Sequence, residues 1–361
     1  MDFERTAREQ EVGGKASAVL AEHSADLEAF RTADAAGARA IVLGLDAALA
    51  GAGYDPTDPG DPGAWPEAIA VGLEVAKADT ALFLSFQATR RFRALAAGRM
   101  DLPGPGTLIG GVALSEPDAG TPGTPARLSG PPWRLDGQKS YVTNGPIADF
   151  LAVFARTDDG EVVAVVEASQ EGVSAGPPIP IPGLDGLAVG PLRLTGARIP
   201  PDRVSGPGDG RPARERFVAD VDLTLAFACA GLMQRVLDAA TAHSRTRLRG
   251  GKPIARHQEV GFKLAEMLTV THAAELLARR AAFLAAAAEP EAATVIRCAR
   301  VFCAEGAERV ASAGMQIAAG EGYVSGSVFE RALRDARGLA VAGTTLEISR
   351  MAVADALLER F

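Results

Sequence analysis

The chain has 361 residues, 47% of them hydrophobic, and a formal net charge of −8 at pH 7. That length allows two or three domain-sized units around a large core. The acidic balance excludes the usual nucleic-acid binder, whose contact face carries an excess of Lys and Arg.

Taken in chain order, three textures follow one another. The N-terminus, MDFERTAREQE, is too charged for a secretory signal, and no uninterrupted apolar run reaches bilayer length. Residues 1–106 are Ala-rich with apolar residues at helical spacing, as in AGARAIVLGLDAALAGAG, and are broken at 55–63 by DPTDPGDPG. They read as an N-terminal α-helical domain. Residues 107–206 change to short β-like runs between turn residues, for example EVVAVVEA and VGPLRLTGARIP. That spacing predicts a small antiparallel barrel or sandwich, a middle β-domain. Residues 207–361 return to long helices with apolar residues three and four apart, which suits a C-terminal helical bundle. The fold class is therefore α+β. Cys229, Cys298 and Cys303 lie in apolar helical sequence and read as thiols in a reducing cytoplasm.

Four stretches carry chemistry, each beside a plainer reading. LSEPDAGTPG, 114–123, can expose backbone N–H groups to an anion or a ring edge, or form an ordinary turn. In YVTNG, 141–145, Tyr141 can stack on a planar ring while Thr143 bonds its edge; a hairpin end looks the same. In HSRTRLRGGKPIARHQ, 243–258, the arginines suit phosphate or a solvated helix end. GMQIAAGEGY, 314–323, permits close backbone approach to a ligand or a helix C-cap. His23, His243, His257 and His272 form no metal-like pair. No P-loop or strand-anchored dinucleotide fingerprint is present.

In order, these stretches resemble the acyl-CoA dehydrogenase family of flavoproteins. LSEPDAGT is similar to that family's T-E-P-x-A-G-S segment, and WRLDGQKSYVTNG to its W-x-L-N-G-x-K-x-W-I-T-N-G. RTRLRGGKPIARHQ is similar to R-x-Q-F-G-x-P-I-x-x-x-Q, and MQIAAGEGY with RALRDAR to Q-x-x-G-G-x-G-Y and R-D-A-R. The resemblance covers roughly residues 107–350 and implies the acyl-CoA dehydrogenase fold, FAD, an acyl-CoA or related acyl thioester as substrate, and an electron-acceptor flavoprotein. It also implies a homodimer or tetramer whose flavins touch two subunits. By motif, Leu114, Ser115 and Thr121 would bond the flavin, Tyr141 would lie against its ring, and Thr143 would face the hydride-accepting nitrogen. Arg247, Gln258, Gln316 and Gly320 would reach the pyrophosphate and adenine end of the neighbour's FAD, with Thr344 also at the cofactor. Gly250 stands where the family has Phe, Ala319 where it has Gly, and the stretch before LSEP is shortened.

One departure concerns chemistry. The family follows its R-D-A-R helix with E-G-T, whose glutamate takes the substrate's α-proton while its backbone N–H helps hold the thioester carbonyl. Here the turn reads Ala342-Gly343-Thr344, or, aligned on Thr345 and Leu346-Glu347-Ile348, places Gly343 at the base position. Neither supplies a carboxylate, so the turn offers only backbone. A positioned general base typically contributes about 10²–10⁴-fold. Some relatives carry the glutamate on an earlier helix, at the position of Val221 here. Asp222 beside it is the one stand-in, with a helix N-terminal aspartate as its plain reading. Three readings follow. The chain is a base-lacking subunit of a heterotetramer with a second homologue. Or it is an active flavoenzyme with a relocated base or monooxygenase chemistry. Or it is a non-catalytic scaffold.

Overall fold

The computed structural model describes residues 5–53, 65–117 and 125–358. The N-terminal helices are α1 (Ala7–Glu22), α2 (Ser24–Phe30), α3 (Ala35–Gly51), α4 (Trp65–Ala78) and α5 (Thr80–Ala96). Their starts follow from side-chain caps. Thr6 and Glu9 form a reciprocal capping box on α1, and Asp34 and Asp79 accept backbone N–H groups at the heads of α3 and α5.

Seven strands follow: β1 (Gly110–Ala113), β2 (Arg127–Ser129), β3 (Arg134–Thr143), β4 (Phe150–Thr157), β5 (Gly160–Glu167), β6 (Val173–Ala175) and β7 (Val189–Arg198). They form one sheet in the order β1-β4-β2-β3-β7-β6, with β5 on β4. The sheet is mixed rather than wholly antiparallel: β1 runs parallel to β4, and a single residue pair joins β2 and β4 in parallel. The remaining pairings are antiparallel. Alternating residues of β3 and β7, such as Leu135, Leu192 and Leu194, close a core inside the sheet.

The C-terminal half holds α6 (Gly210–Thr246), a short hairpin of β8 (Leu248–Arg249) and β9 (Lys252–Pro253), α7 (Gln258–Ala286), α8 (Ala292–Ala318), α9 (Val328–Val341) and α10 (Leu346–Leu358). One continuous apolar core joins this bundle to α1–α5. Helices α4 and α6 touch closely: a Cβ on Gly231 would lie 2.6 Å from the Cβ of Ala76. By length and mean apolarity α6 could cross a membrane, contrary to the expectation from apolar runs, yet 61% of its apolar window is buried within the protein. It is the central helix of the bundle. The three cysteines are free, and Cys229 and Cys303 are buried. Burial pushes the Cys229 thiol up to about 12, far from a reactive thiolate.

The R-D-A-R sequence joins sheet and bundle. Asp335 accepts the Leu184 N–H at 2.6 Å and pairs with Arg235 at 3.2 Å. Arg334 grips both oxygens of Asp185 at 3.0 and 2.9 Å and donates to the Pro182 carbonyl at 2.8 Å. The loop between β6 and β7 is thereby docked on α9, which ends at the Ala342–Thr344 turn.

Candidate functional site

Three groups of the expected residues can be located from their local chemistry. The first lies at the edge of the sheet. Lys139 in β3 is buried, and its ammonium donates to the Leu114 carbonyl at 3.1 Å and to Glu116 Oε1 at 2.9 Å. Burial lowers the Lys139 pKa. Burial also raises that of Glu116, but the hydrogen bond and charge of Lys139 outweigh it and leave the carboxyl below its ordinary value. The Ser140 N–H donates to the Ser115 carbonyl at 2.9 Å. Residues 114–116 are thus held beside 139–141, with the Ser115 side chain toward solvent.

At the same place β3 slips its register against β7 between Lys139 and Val142. The bulge sets Tyr141 at φ 53 with 67% of its surface exposed. A left-handed aromatic residue is uncommon, and such strain concentrates where a side chain must be aimed. Tyr141 therefore presents a flat, open ring instead of the half-buried side chain of a simple hairpin end. Thr143, two residues on, is half-buried. Asn144, at φ 63, is fully buried and braces the strand end. Its amide donates to the carbonyls of Ser85 at 2.9 Å and Gly110 at 3.1 Å, and its oxygen accepts from Ser85 Oγ at 2.8 Å. Thr121 lies outside the described residues.

The second group sits at the ends of α6 and α8. Arg247 follows α6 and meets Glu321 at 2.9 Å, which brings the arginine segment to the loop holding Gly320. Gln258 opens α7, Gln316 lies in the last turn of α8, and both are exposed. The His257 Nε2 next to Gln258 is buried without a hydrogen-bond partner. Gly250 and Gly251, at φ 60 and 78, form the two-residue turn of the β8–β9 hairpin, a conformation that suits Gly and not Phe. No hydrogen bond or ion pair among the described residues links this group to the sheet edge.

The third group is the turn after α9. The Ala342 N–H donates to the Gly338 carbonyl at 3.1 Å, completing the helix. Gly343 is an exposed residue, and its N–H has no hydrogen-bond partner among the described residues. Gly343 has φ 65, and a Cβ there would lie 2.7 Å from Leu225 Cδ1, 3.1 Å from Val221 Cγ1 and 3.3 Å from Asp222 Oδ1. Thr344 donates its N–H to Asp222 Oδ1 at 3.2 Å.

Asp222 lies well inside α6, away from the helix N-terminus, so the macrodipole does not explain it. It is 1% exposed, and burial raises its pKa. Behind it lies Arg300 of α8, fully buried, its Nε 3.8 Å from Asp222 Oδ1. One Arg300 amino group donates to the carbonyls of Leu339 at 2.9 Å, Ala340 at 3.1 Å and Ala342 at 2.6 Å. Its Nε and second amino group have no hydrogen-bond partner among the described residues. Burial lowers the Arg300 pKa as well. The two shifts are opposite in direction and each disfavours the charged form: at 3.8 Å the pair returns less than desolvation takes.

Several of these residues were not singled out from sequence: Lys139, Glu116, Asn144, Arg300 and Glu321. For Arg300 a signal existed, since Ile296, Cys303 and Ala307 share its helical face and are all buried.

The donors suit the FAD implied by the resemblance. An exposed flat ring stands beside a braced segment at the sheet edge. A guanidinium, two amides and the open space around Gly320, where a Cβ would meet nothing within 4 Å, suit a pyrophosphate.

Two family models match this chain. Residues 111–197 match the acyl-CoA dehydrogenase middle domain, and residues 211–358 the acyl-CoA dehydrogenase C-terminal domain. The chain is 32% identical over 257 residues to a 3-(aryl)acrylate reductase of Clostridium sporogenes, covering 68% of each chain. It is 34% identical to the human mitochondrial short-chain specific acyl-CoA dehydrogenase over 71% of this chain and 64% of that one. The fold is that of butyryl-CoA dehydrogenase from Megasphaera elsdenii, with a TM-score of 0.83 at 24% identity over 99% of this chain and all of the other. A chain from a structure titled for the electron transferring flavoprotein of Acidaminococcus fermentans superposes with a TM-score of 0.85 at 23% identity, over 99% of this chain and all of that one. The matching domains, the shared architecture and the relatives together show that the chain belongs to the acyl-CoA dehydrogenase family, whose members are FAD-binding oxidoreductases.

Proposed function

We propose that this chain is the base-lacking subunit of a heteromeric, FAD-dependent acyl-CoA dehydrogenase acting in the cytoplasm on an acyl thioester. A second homologue supplies the proton acceptor, and a flavoprotein takes the electrons. One observation carries the reading. The turn at the family's catalytic position is Ala342-Gly343-Thr344, and the carboxylate against it, Asp222, is buried and occupied by the Thr344 N–H.

In this reading FAD, when bound, accepts the hydride that leaves the substrate's β-carbon. The chain supplies the rest of the site. Tyr141 presents its ring and Thr143 its hydroxyl, Leu114 and Ser115 lie beside them, and Thr121 is assigned to the flavin by its motif alone. Arg247, Gln258, Gln316 and Gly320 serve the pyrophosphate and adenine end of a neighbouring protomer's FAD, as the family resemblance implies. Thr344 lies at the turn. A backbone N–H of the turn polarises the thioester carbonyl, an oxyanion-type contribution. The family's glutamate position holds Ala342 in one alignment and Gly343 in the other, and neither lifts a proton.

The test is turnover by the FAD-loaded chain alone with acyl-CoA and an artificial electron acceptor. Little turnover is expected, and activity should rise on adding a homologue that retains E-G-T or on Ala342→Glu. Robust turnover by the lone chain would overturn the proposal. A second reading, that Asp222 is a relocated base, is favoured by its oxygen lying 3.3 Å from where a Cβ on Gly343 would stand. It requires that Asp222→Asn abolish such turnover.

A further inference from the structure

The turn is held from behind by two charged side chains on different helices. Arg300 of α8 gathers the carbonyls of Leu339, Ala340 and Ala342, the last of them at 2.6 Å. Asp222 of α6 accepts the Thr344 N–H at 3.2 Å. Carbonyl 342 and amide 344 therefore both face the bundle, and between them the chain has one amide left, that of Gly343. A backbone N–H flanked by two inward-tied groups has little freedom to turn in. At φ 65 only glycine adopts this geometry without strain, since a Cβ would strike Leu225. The Ala342 N–H is unavailable to a ligand, being bonded to Gly338.

We propose that Asp222 and Arg300 are positioning residues that fix this turn so that the Gly343 N–H is its outward donor to the carbonyl of a bound acyl thioester. The inference rests on the acyl-thioester reading above. It assigns a use to a buried carboxylate and guanidinium that stand 3.8 Å apart behind the turn. The carboxylate and guanidinium act through the backbone: neither touches the substrate, and each ties a peptide group that would otherwise compete for the Gly343 position. A fixed donor needs no reorganisation when a ligand arrives, so it stabilises developing negative charge more than a mobile one.

The experiment uses the FAD-loaded full chain and acyl-CoA labelled with ¹³C at the thioester carbonyl, observed by difference infrared spectroscopy. The carbonyl stretch of the bound ligand should move to lower frequency. Asp222→Asn keeps an acceptor oxygen for Thr344 and should retain the displacement. Asp222→Ala should lose most of it and bind about tenfold more weakly, the range of one hydrogen bond. A full displacement in Asp222→Ala would overturn the proposal while leaving acyl-CoA binding intact. Failure of the wild-type holoprotein to bind acyl-CoA would overturn the parent reading with it, and binding with an unmoved carbonyl would overturn this inference alone.

Should Asp222→Ala fail to fold, amide exchange in the wild-type protein labelled with ¹⁵N-glycine and ¹⁵N-threonine decides. Gly343 should exchange fast and become protected on acyl-CoA binding, while Thr344 stays slow throughout. A Gly343 amide already protected in the free protein, or unaffected by the ligand, would overturn the proposal.

Discussion

Two places along α9, its middle and the turn beyond its C-terminus, are built from the same parts and do different work. Near the middle of the helix, Asp335 takes the Leu184 N–H at 2.6 Å and meets Arg235 at 3.2 Å. Beyond its C-terminus, Asp222 takes the Thr344 N–H at 3.2 Å and stands 3.8 Å from Arg300. In both, a buried carboxylate ties a loop amide to a helix with an arginine behind it. Burial raises both carboxyl pKa values. The first arrangement docks a sheet loop on the bundle. The second ties down one amide and leaves its neighbour free. The carboxylate–amide bond fixes a loop in both places, and what sets the second apart is that it holds the turn where the family carries its glutamate.

The docking clamp should be the harder of the two to lose. Asp335→Ala leaves the Leu184 N–H and the Arg235 guanidinium without their acceptor in a buried place. Removing one partner of such a pair costs about 3–5 kcal/mol. Denaturant unfolding should show that loss, and limited proteolysis should open the chain near residues 182–187. Asp335→Asn, which keeps an acceptor for Leu184, should retain most of the stability. An Asp335→Ala protein as stable as the parent would show that the two clamps are not equivalent in kind.

Titration sharpens the comparison at the other end. Burial raises the Asp222 carboxyl above its ordinary value of 3.8, so the folded state holds the proton more tightly than the unfolded chain does. Its contribution to stability is full below 3.8 and falls as pH rises through the elevated folded value. Asp222→Asn mimics the protonated side chain and should remove this part of the pH dependence. Its stability relative to wild type should therefore climb across that window and then level. At neutral pH the variant should be at least as stable as the parent, by an amount smaller than the Asp335→Ala loss. A clear destabilisation at neutral pH would mean that the attraction between Asp222 and Arg300 exceeds the cost of burying them.

How much of this was legible beforehand depended on whether the chemistry was local. Helical spacing and alternating runs sufficed for the α+β architecture because each element buries a face of its own sequence. The parallel pairing of β1 with β4 joins strands far apart in the chain and left no local mark. Tyr141 was readable as an aromatic at a strand end, but the bulge that exposes it depends on a register slip against β7. Asp222 was noticed only through its neighbour Val221, and its plain reading as a helix-start aspartate fell because α6 begins much earlier, at Gly210. Arg300 went unseen since a lone arginine on a helix is usually solvated; its partners are carbonyls from α9, which no pattern within α8 reveals. The free donor at Gly343 rather than Ala342 follows from where α9 ends, and helix ends are uncertain from sequence by a residue or two.

Helix ends also supply the smallest of these effects. Helix α9 gives way to Gly343 at φ 65, where glycine carries little penalty. Helix α8, which bears Arg300, ends instead on Ala319 at φ 54 and ψ −133, a region open to glycine and strained for any residue with a Cβ. The family's pattern has glycine at this position, so the strain belongs to this chain. Strain of this kind is worth about 1–3 kcal/mol, against which glycine loses about 0.4–1 kcal/mol through its freer unfolded state. Ala319→Gly should therefore stabilise the protein by about 1 kcal/mol, read as a small rise in the unfolding midpoint. Because Ala319 adjoins Gly320 and Glu321, relief of the strain should also tighten FAD binding if the alanine distorts the loop that meets Arg247. An unchanged FAD affinity with a raised midpoint would confine the effect to the helix end. A lowered midpoint would show that this helix end, unlike the turn after α9, gains more from its Cβ than the left-handed backbone costs.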